Sequence, residues 1–284
     1  MKPAWKIKLE TVGVLAEKEM LDAVRNRWFH VFVAFFFLLS ASIIHFGLTE
    51  SGGIGFESFN RTTASLLNLI LFVIPLFTLI LGGTSITGER EQGTLMLLMS
   101  KPITAAELVL GKYLGLAASM VLAIMIGFGL IGILTAFLLS PSEAKAYFMF
   151  VLLSILLTLS FLSVAILISA AAKKRATSVV GGIVVWFVAV MLYDFAVMGG
   201  ATLFAGKMVD YFLLVCLLVN PVDSVRVLGI VHLGGDTVFG PSLVSLTRLL
   251  SGVSSEIFLL SGIAVWMIVP LFLAISVFQR RGGV

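Results

Sequence analysis

At 284 residues, with 60% hydrophobic and 12% charged side chains and a mean hydropathy of +1.13, the chain carries roughly half the charge of an ordinary soluble domain. That balance excludes a water-soluble globule and places the chain in a membrane. The excess of 19 Lys and Arg over 15 Asp and Glu does not signal nucleic acid, because the basic residues are sorted by loop as in a membrane protein.

In chain order, residues 10–28 are predicted to form an amphipathic helix lying on the membrane, with Val14, Leu21, Val24 and Trp28 on one face and charges on the other. Arg25, Arg27 and Trp28 then sit at headgroup level. Six apolar runs follow, at 29–48, 64–87, 114–140, 147–172, 176–199 and 257–278, each long enough for a hydrocarbon core of about 30 Å. They predict an all-α membrane protein, since helices satisfy every backbone group internally. The polar stretch before the first run has no small-residue cleavage site, so that run is expected to be a retained anchor.

The positive-inside bias sets the orientation. Lys2, Lys6, Lys8, Lys18, Arg25 and Arg27 precede the first run; Arg90, Lys101 and Lys112 follow the second; Lys173, Lys174 and Arg175 follow the fourth; Arg280 and Arg281 follow the sixth. The alternate loops hold only Arg61, Lys145, Lys207, Arg226 and Arg248, so both termini are predicted to be cytoplasmic. The Asn60-Arg61-Thr62 sequon falls on the external side.

Residues 88–115 are an island of charge, Gly and Pro between two spans. Gly88 is expected to be the N-cap of a short helix carrying Glu89 and Glu91 in its first turn, and Lys101-Pro102 is expected to stop it after Met99. Thr104 and Glu107 form a capping box, with Ile103 and Leu108 as the hydrophobic staple of the next helix. If that helix runs over 105–139 it is roughly 52 Å long and protrudes into the cytosol. Gly111 and Gly115, and further on Gly127, Gly129 and Gly132, provide for close helix packing.

Asp194, in MLYDF, is the acid within a predicted span and lies roughly 27 Å along it, either as a functional group or as an outer-interface residue. Met191 and Met198 flank it as a soft-ligand pair or as core packing. Residues 200–256 form the long external segment. Within it, the apolar stretch 212–219 is too short to span, and Asn220 (N-cap), Pro221 (N1) and Asp223 with Arg226 at i+3 start another short helix. Two such helices are expected to dip into the outer leaflet as a re-entrant hairpin, followed by a flexible stretch with Gly234, Gly235, Gly240 and Pro241.

The chain has no phosphate-binding loop, so energy must come from a partner. His30, His45 and His232 show no metal-ligand spacing, and the single Cys216 precludes an intramolecular disulfide. No catalytic or metal residue is expected, and no cofactor bound by this chain.

This order of elements resembles the permease subunits of ABC-2 type exporters over essentially the whole length. The GEREQGTL run with its following Pro and GK carries the likeness, supported by AEKE at 16–19 and RNRW at 25–28. The resemblance implies one permease domain over 1–284, with 10–28 as connecting helix, 88–100 as coupling helix and 200–256 as the external loop with the hairpin between helices 5 and 6. Gly88, Glu89, Arg90, Glu91, Gly93, Thr94 and Leu95 would couple to an ABC ATPase subunit that binds ATP and Mg. It further implies a homodimer in the inner membrane, in contact with lipid. VRNRW at 24–28, LYDF at 192–195 and NPVDSVRVL at 220–228 resemble the branch of that family serving maturation of nitrous oxide reductase. That branch implies a periplasmic β-helical accessory protein and work on a copper-sulfide centre, with Asp194, Asn220, Asp223 and Arg226 at an external gate or vestibule. An exporter of lipid, peptide or antibiotic, and an intramembrane enzyme or scaffold, stay open as alternatives.

Overall fold

A computed structural model describes residues 7–49, 56–135, 141–204, 207–233 and 253–281, and every regular element among them is a helix. In order these are α1 (Leu9–Arg25), α2 (Arg27–Thr49), α3 (Phe56–Glu91), α4 (Thr94–Met99), α5 (Ala105–Thr135), α6 (Pro141–Ala171), α7 (Arg175–Phe187), a π-helical turn (Val188–Leu192), α8 (Tyr193–Ala201), α9 (Lys207–Val219), α10 (Pro221–Leu233) and α11 (Val253–Arg280). Five helical stretches are long and apolar enough to cross a membrane: Leu67–Glu91, Ala105–Gly129, Tyr147–Ala171, Arg175–Ala201 and Glu256–Arg280. The first predicted run lies in α2, whose apolar part is described over Phe29–Leu39. Between Val219 and Pro221 the chain bends by 113°, so α9 and α10 form a broken pair of short apolar helices.

The core is built around α6, which packs on α3 and α11, while α2 and α1 lie along α5. Edge-to-face aromatic contacts order its upper part: Phe32 to Phe36 at 4.6 Å and Phe128 to Phe150 at 5.2 Å between ring centroids. The lower part gathers Ile86, Leu95, Leu108, Tyr113, Ile166 and Phe278 at the ends of α3, α5, α6 and α11 around the foot of α4. Buried hydroxyls of α6 cross-link the bundle. Ser163 donates to the Trp266 carbonyl at 2.6 Å, and Ser169 accepts from the amides of Ile86 and Thr87.

Two expectations need correction. Gly88 is not an N-cap: α3 continues through it, with Gln92 N–H bonding the Gly88 carbonyl at 3.1 Å, and the break comes at Gly93 with φ of 73°. The reason is tertiary, since Glu89, Arg90 and Glu91 are each held by a different neighbouring helix. Secondly, the sequon Asn60-Arg61-Thr62 lies in the first turns of α3 and not in a loop. On α1 the face packed against α5 is Val12, Leu15 and Glu19, and Val14 and Leu21 of the predicted membrane face are exposed. Gly234, Gly235, Gly240, Pro241, Arg248, the terminal Lys2 and Lys6, and residues 136–140 of the third predicted span lie outside the described residues.

Candidate functional site

The capping box forms as read. Thr104 N–H bonds Glu107 Oε2 at 2.8 Å and Glu107 N–H bonds Thr104 Oγ1 at 3.2 Å. Glu107 also accepts from the Lys8 amide at 2.7 Å, which ties the start of α1 to the start of α5. One and two turns on, Gly111 and Gly115 face α1 so closely that a Cβ at 111 would meet Leu15 Cβ at 2.5 Å and one at 115 would meet the Ala16 carbonyl at 2.4 Å. Only glycine permits this approach, and it brings the backbone of α1 against that of α5.

The contact carries a network of charges. Lys112 on α5, with its side chain 2% exposed, places Nζ at 2.7 Å from Glu19 Oε1 and 2.9 Å from Glu89 Oε2, and donates to the Ser85 carbonyl at 3.2 Å. Lys18 reaches the other oxygen of Glu89 at 2.9 Å and lies 3.7 Å from Asp22. Burial alone would lower the Lys18 pKa, but its hydrogen bond to Glu89 and the charges of Glu19, Glu89 and Asp22 raise it above the ordinary lysine value. Three helices, α1, α3 and α5, thus meet on two ammonium groups. The network walls one side of a cavity of about 290 Å³ whose apolar base is formed by Phe29, Phe32, Leu81 and Met120.

The other two charges of the GERE run are also turned inward. Arg90 donates to the Ala172 carbonyl at the end of α6, and Glu91 accepts from the Arg175 amide at 2.8 Å, capping α7. Carboxylates at a helix C-terminus oppose its macrodipole, so Glu89 and Glu91 are stable at the end of α3 because Lys18, Lys112 and the N-terminus of α7 supply the compensating charge. What remains outward is α4. Leu95 is buried beneath it, while Met96 and Leu97 are 62% and 70% exposed. Gly93, at positive φ, turns the chain between the anchored end of α3 and this apolar ridge.

At the opposite ends of the spans, Asp194, Asn220, Asp223 and Arg226 come together. Arg226 Nη1 lies 3.1 Å from Asp194 Oδ1 and 2.9 Å from Asp223 Oδ1. Asn220 caps α10, accepting from Val222 N–H at 3.0 Å. Its amide donates to the Ala189 carbonyl at 2.7 Å. Ala189 lies in the π-helical turn, where the widened hydrogen-bond pattern leaves a carbonyl open to an outside donor. Tyr193 adds a hydrogen bond to the Cys216 carbonyl at 2.7 Å, so α9 and α10 are both pinned to the α7–α8 helix. Met191 and Met198 are exposed on the surface of that helix, and among the described residues no three His, Cys, Asp or Glu side chains gather in a metal-binding group.

The structure brings Asp194 together with Asn220, Asp223 and Arg226 of the start of α10, whereas sequence reasoning missed Lys112 and Glu19 as partners. Their signal was present: a lysine two turns into an apolar helix beside GxxxG needs an acid from another helix. It also assigned the GERE charges to outward contacts, although the structure turns all three toward neighbouring helices.

Residues 14–282 match the family described as ABC-2 family transporter protein. The chain is 34% identical over 277 residues to the protein named probable ABC transporter permease protein NosY of Pseudomonas aeruginosa, covering 96% of this chain and 99% of the relative. It is 33% identical over 279 residues to the protein of the same name in Stutzerimonas stutzeri, again covering 96% and 99%. With helices long and apolar enough to cross a membrane, the chain is a permease subunit of an ABC transporter and belongs to the ABC-2 family.

Proposed function

We propose that the chain is the membrane half of a homodimeric transporter in the inner membrane, with both termini cytoplasmic, whose separate ATPase docks on α4. The observation that carries this reading is the contrast within one loop: Glu89, Arg90 and Glu91 are bound to neighbouring helices, whereas Met96 and Leu97 project as a bare apolar pair. ATP and Mg belong to the ATPase, and this chain converts its closure into motion.

The path runs through rigid elements. Displacement of α4 pivots at Gly93, reaches α1 and α5 through the Glu89 carboxylate and reaches α7 through Glu91. From its capped N-terminus α7 continues through the π turn into α8, which carries Asp194 against Arg226 on the far side. There α9 and α10 act as a re-entrant hairpin facing a periplasmic β-helical accessory protein. Two relatives named NosY, and the stretches at 24–28, 192–195 and 220–228, support a role in maturation of the copper-sulfide centre of nitrous oxide reductase.

Met96→Asp with Leu97→Asp tests the docking assignment. The variant is expected to reach the membrane at the normal level yet lose its ATPase on co-purification and leave nitrous oxide reductase without its copper-sulfide centre. Unchanged co-purification would show that the ATPase docks elsewhere, and normal reductase from a strain lacking this chain would point to another cargo, such as a lipid or peptide.

A further inference from the structure

Five cations collect where α3, α6 and α11 end together. Arg281 donates to the Ala171 carbonyl and Arg90 to the next one, Ala172, so two guanidinium groups sit side by side on the last turn of α6. Lys173 and Lys174 follow that turn and Arg280 precedes Arg281, all exposed. Capping accounts for one nitrogen of each arginine, because cations satisfy the open carbonyls and the dipole of a helix C-terminus. It leaves the rest unexplained.

Arg90 holds Nε and Nη2 away from water with no hydrogen-bond acceptor. These two nitrogens are the side-on fork of the guanidinium, the edge that matches two oxygens of a phosphate. None of the five cations forms an ion pair among the described residues. Glu91, the adjacent acid in sequence, is occupied by the Arg175 amide. A desolvated fork inside a cluster of like charges is completed by an anion. Depth identifies its source: Phe272 and Leu273 are exposed on α11 two turns before the cluster, so the cations stand at the edge of the apolar surface, where lipid phosphates lie.

We propose that this cluster is a binding site for the phosphate of an anionic phospholipid, held by the Arg90 fork with Arg281, Lys173, Lys174 and Arg280 around it. The long exposed side chain of Arg281 swings off the Ala171 carbonyl to admit the headgroup. Because Arg90 neighbours Glu89 and Glu91, the bound lipid braces the end of α3 from which α4 hangs. The leaflet follows from the topology proposed above; the binding itself does not.

Native mass spectrometry of the purified full chain in detergent tests it, with phosphatidylglycerol and phosphatidylcholine added at equal amounts. Phosphatidylglycerol is expected to be retained several-fold more. Lys173→Gln with Lys174→Gln, which removes charges that cap nothing, lowers that retention by roughly fivefold per lysine, the equivalent of about 1 kcal/mol for each basic residue at an anionic surface. Arg281→Gln removes most of the remainder, Arg281→Lys restores part of it, and Lys145→Gln at the other end of α6 leaves it unchanged. Equal retention of the two lipids, or wild-type retention by the Lys173/Lys174 variant, overturns the proposal. Displacement of the lipid by excess inorganic phosphate overturns the lipid assignment in favour of a free anion.

Discussion

Lys112 on α5 and Glu19 on α1 meet at 2.7 Å, Nζ to Oε1, with the lysine buried and the glutamate nearly so. This pair fastens α1 to α5 at the level where Gly115 lets the two backbones touch. Removing one partner of a buried pair leaves a desolvated charge, which is costlier than the pair itself is stabilising. Lys112→Met is therefore expected to destabilise the protein by about 3–5 kcal/mol. Lys112→Met combined with Glu19→Gln and Glu89→Gln is expected to recover part of that loss. Thermal unfolding in detergent reads both, and an unchanged midpoint for Lys112→Met refutes the role given to the pair.

Gly115→Leu acts on the same joint through volume. A Cβ there already meets the Ala16 carbonyl at 2.4 Å and Glu19 Cβ at 2.6 Å, so a leucine must push α1 away from α5. Cysteine placed at Val12, a buried position of α1, is expected to become reactive to a maleimide in the Gly115→Leu background and stay protected otherwise. Gly129→Leu, where a Cβ meets nothing within 4 Å, serves as the matched control and is expected to leave labelling unchanged.

Gly93 sets the angle of α4. Its φ of 73° is a left-handed conformation that costs an alanine roughly 1–2 kcal/mol and an asparagine less. Gly93→Ala is expected to lower ATPase stimulation by the permease several-fold with little change in melting temperature, whereas Gly93→Asn retains most of it. Equal activity of all three would show that the angle of α4 does not matter.

Arg226 and Asp194 are not equivalent. Asp194 is 40% exposed and Arg226 keeps Asp223 without it, so Asp194→Asn is expected to change stability by less than about 1 kcal/mol. Arg226→Gln strands the buried Asp223 and is expected to cost about 3 kcal/mol and to abolish maturation in a complementation assay. If the two variants behave alike, the arginine is not the centre of the cluster.

Asn220 links α10 to the π-helical turn by two hydrogen bonds. Asn220→Ala removes both the cap and the donor to Ala189, with an expected cost of about 1–3 kcal/mol. Asn220→Asp keeps the cap but turns a carboxylate oxygen toward the Ala189 carbonyl in place of the donor. Faster amide exchange at 188–192 in both variants, but at 221–224 in the alanine variant alone, would separate the two roles.

Much of this architecture is legible along the chain because bilayer thickness and the cost of burying charge act on local segments. Five of the six apolar runs, the break at Lys101-Pro102, the Thr104 and Glu107 capping box and the Asn220 cap depend on residues within a turn or two of each other, and they form as read among the described residues. Gly88 has the local look of a helix start because its neighbours Glu89 and Glu91 suit a helix N-terminus. Their partners, Lys18, Lys112 and the Arg175 amide, come from three other helices at separations of 71, 23 and 84 residues, so no local pattern points to them.

The face of α1 shows the same division. Periodicity marks that helix as amphipathic, but both Val14 with Leu21 and Val12 with Leu15 are apolar pairs at helical spacing, and only the glycine-lined surface of α5 selects the second. Segment lengths, caps and the side of each charge follow from short-range chemistry written into the residues themselves. Which charge meets which, and therefore that Glu89, Arg90 and Glu91 brace the bundle while Met96 and Leu97 face outward, is decided where distant helices converge, because ion pairs and close packing are energies of position in space and not of position along the chain.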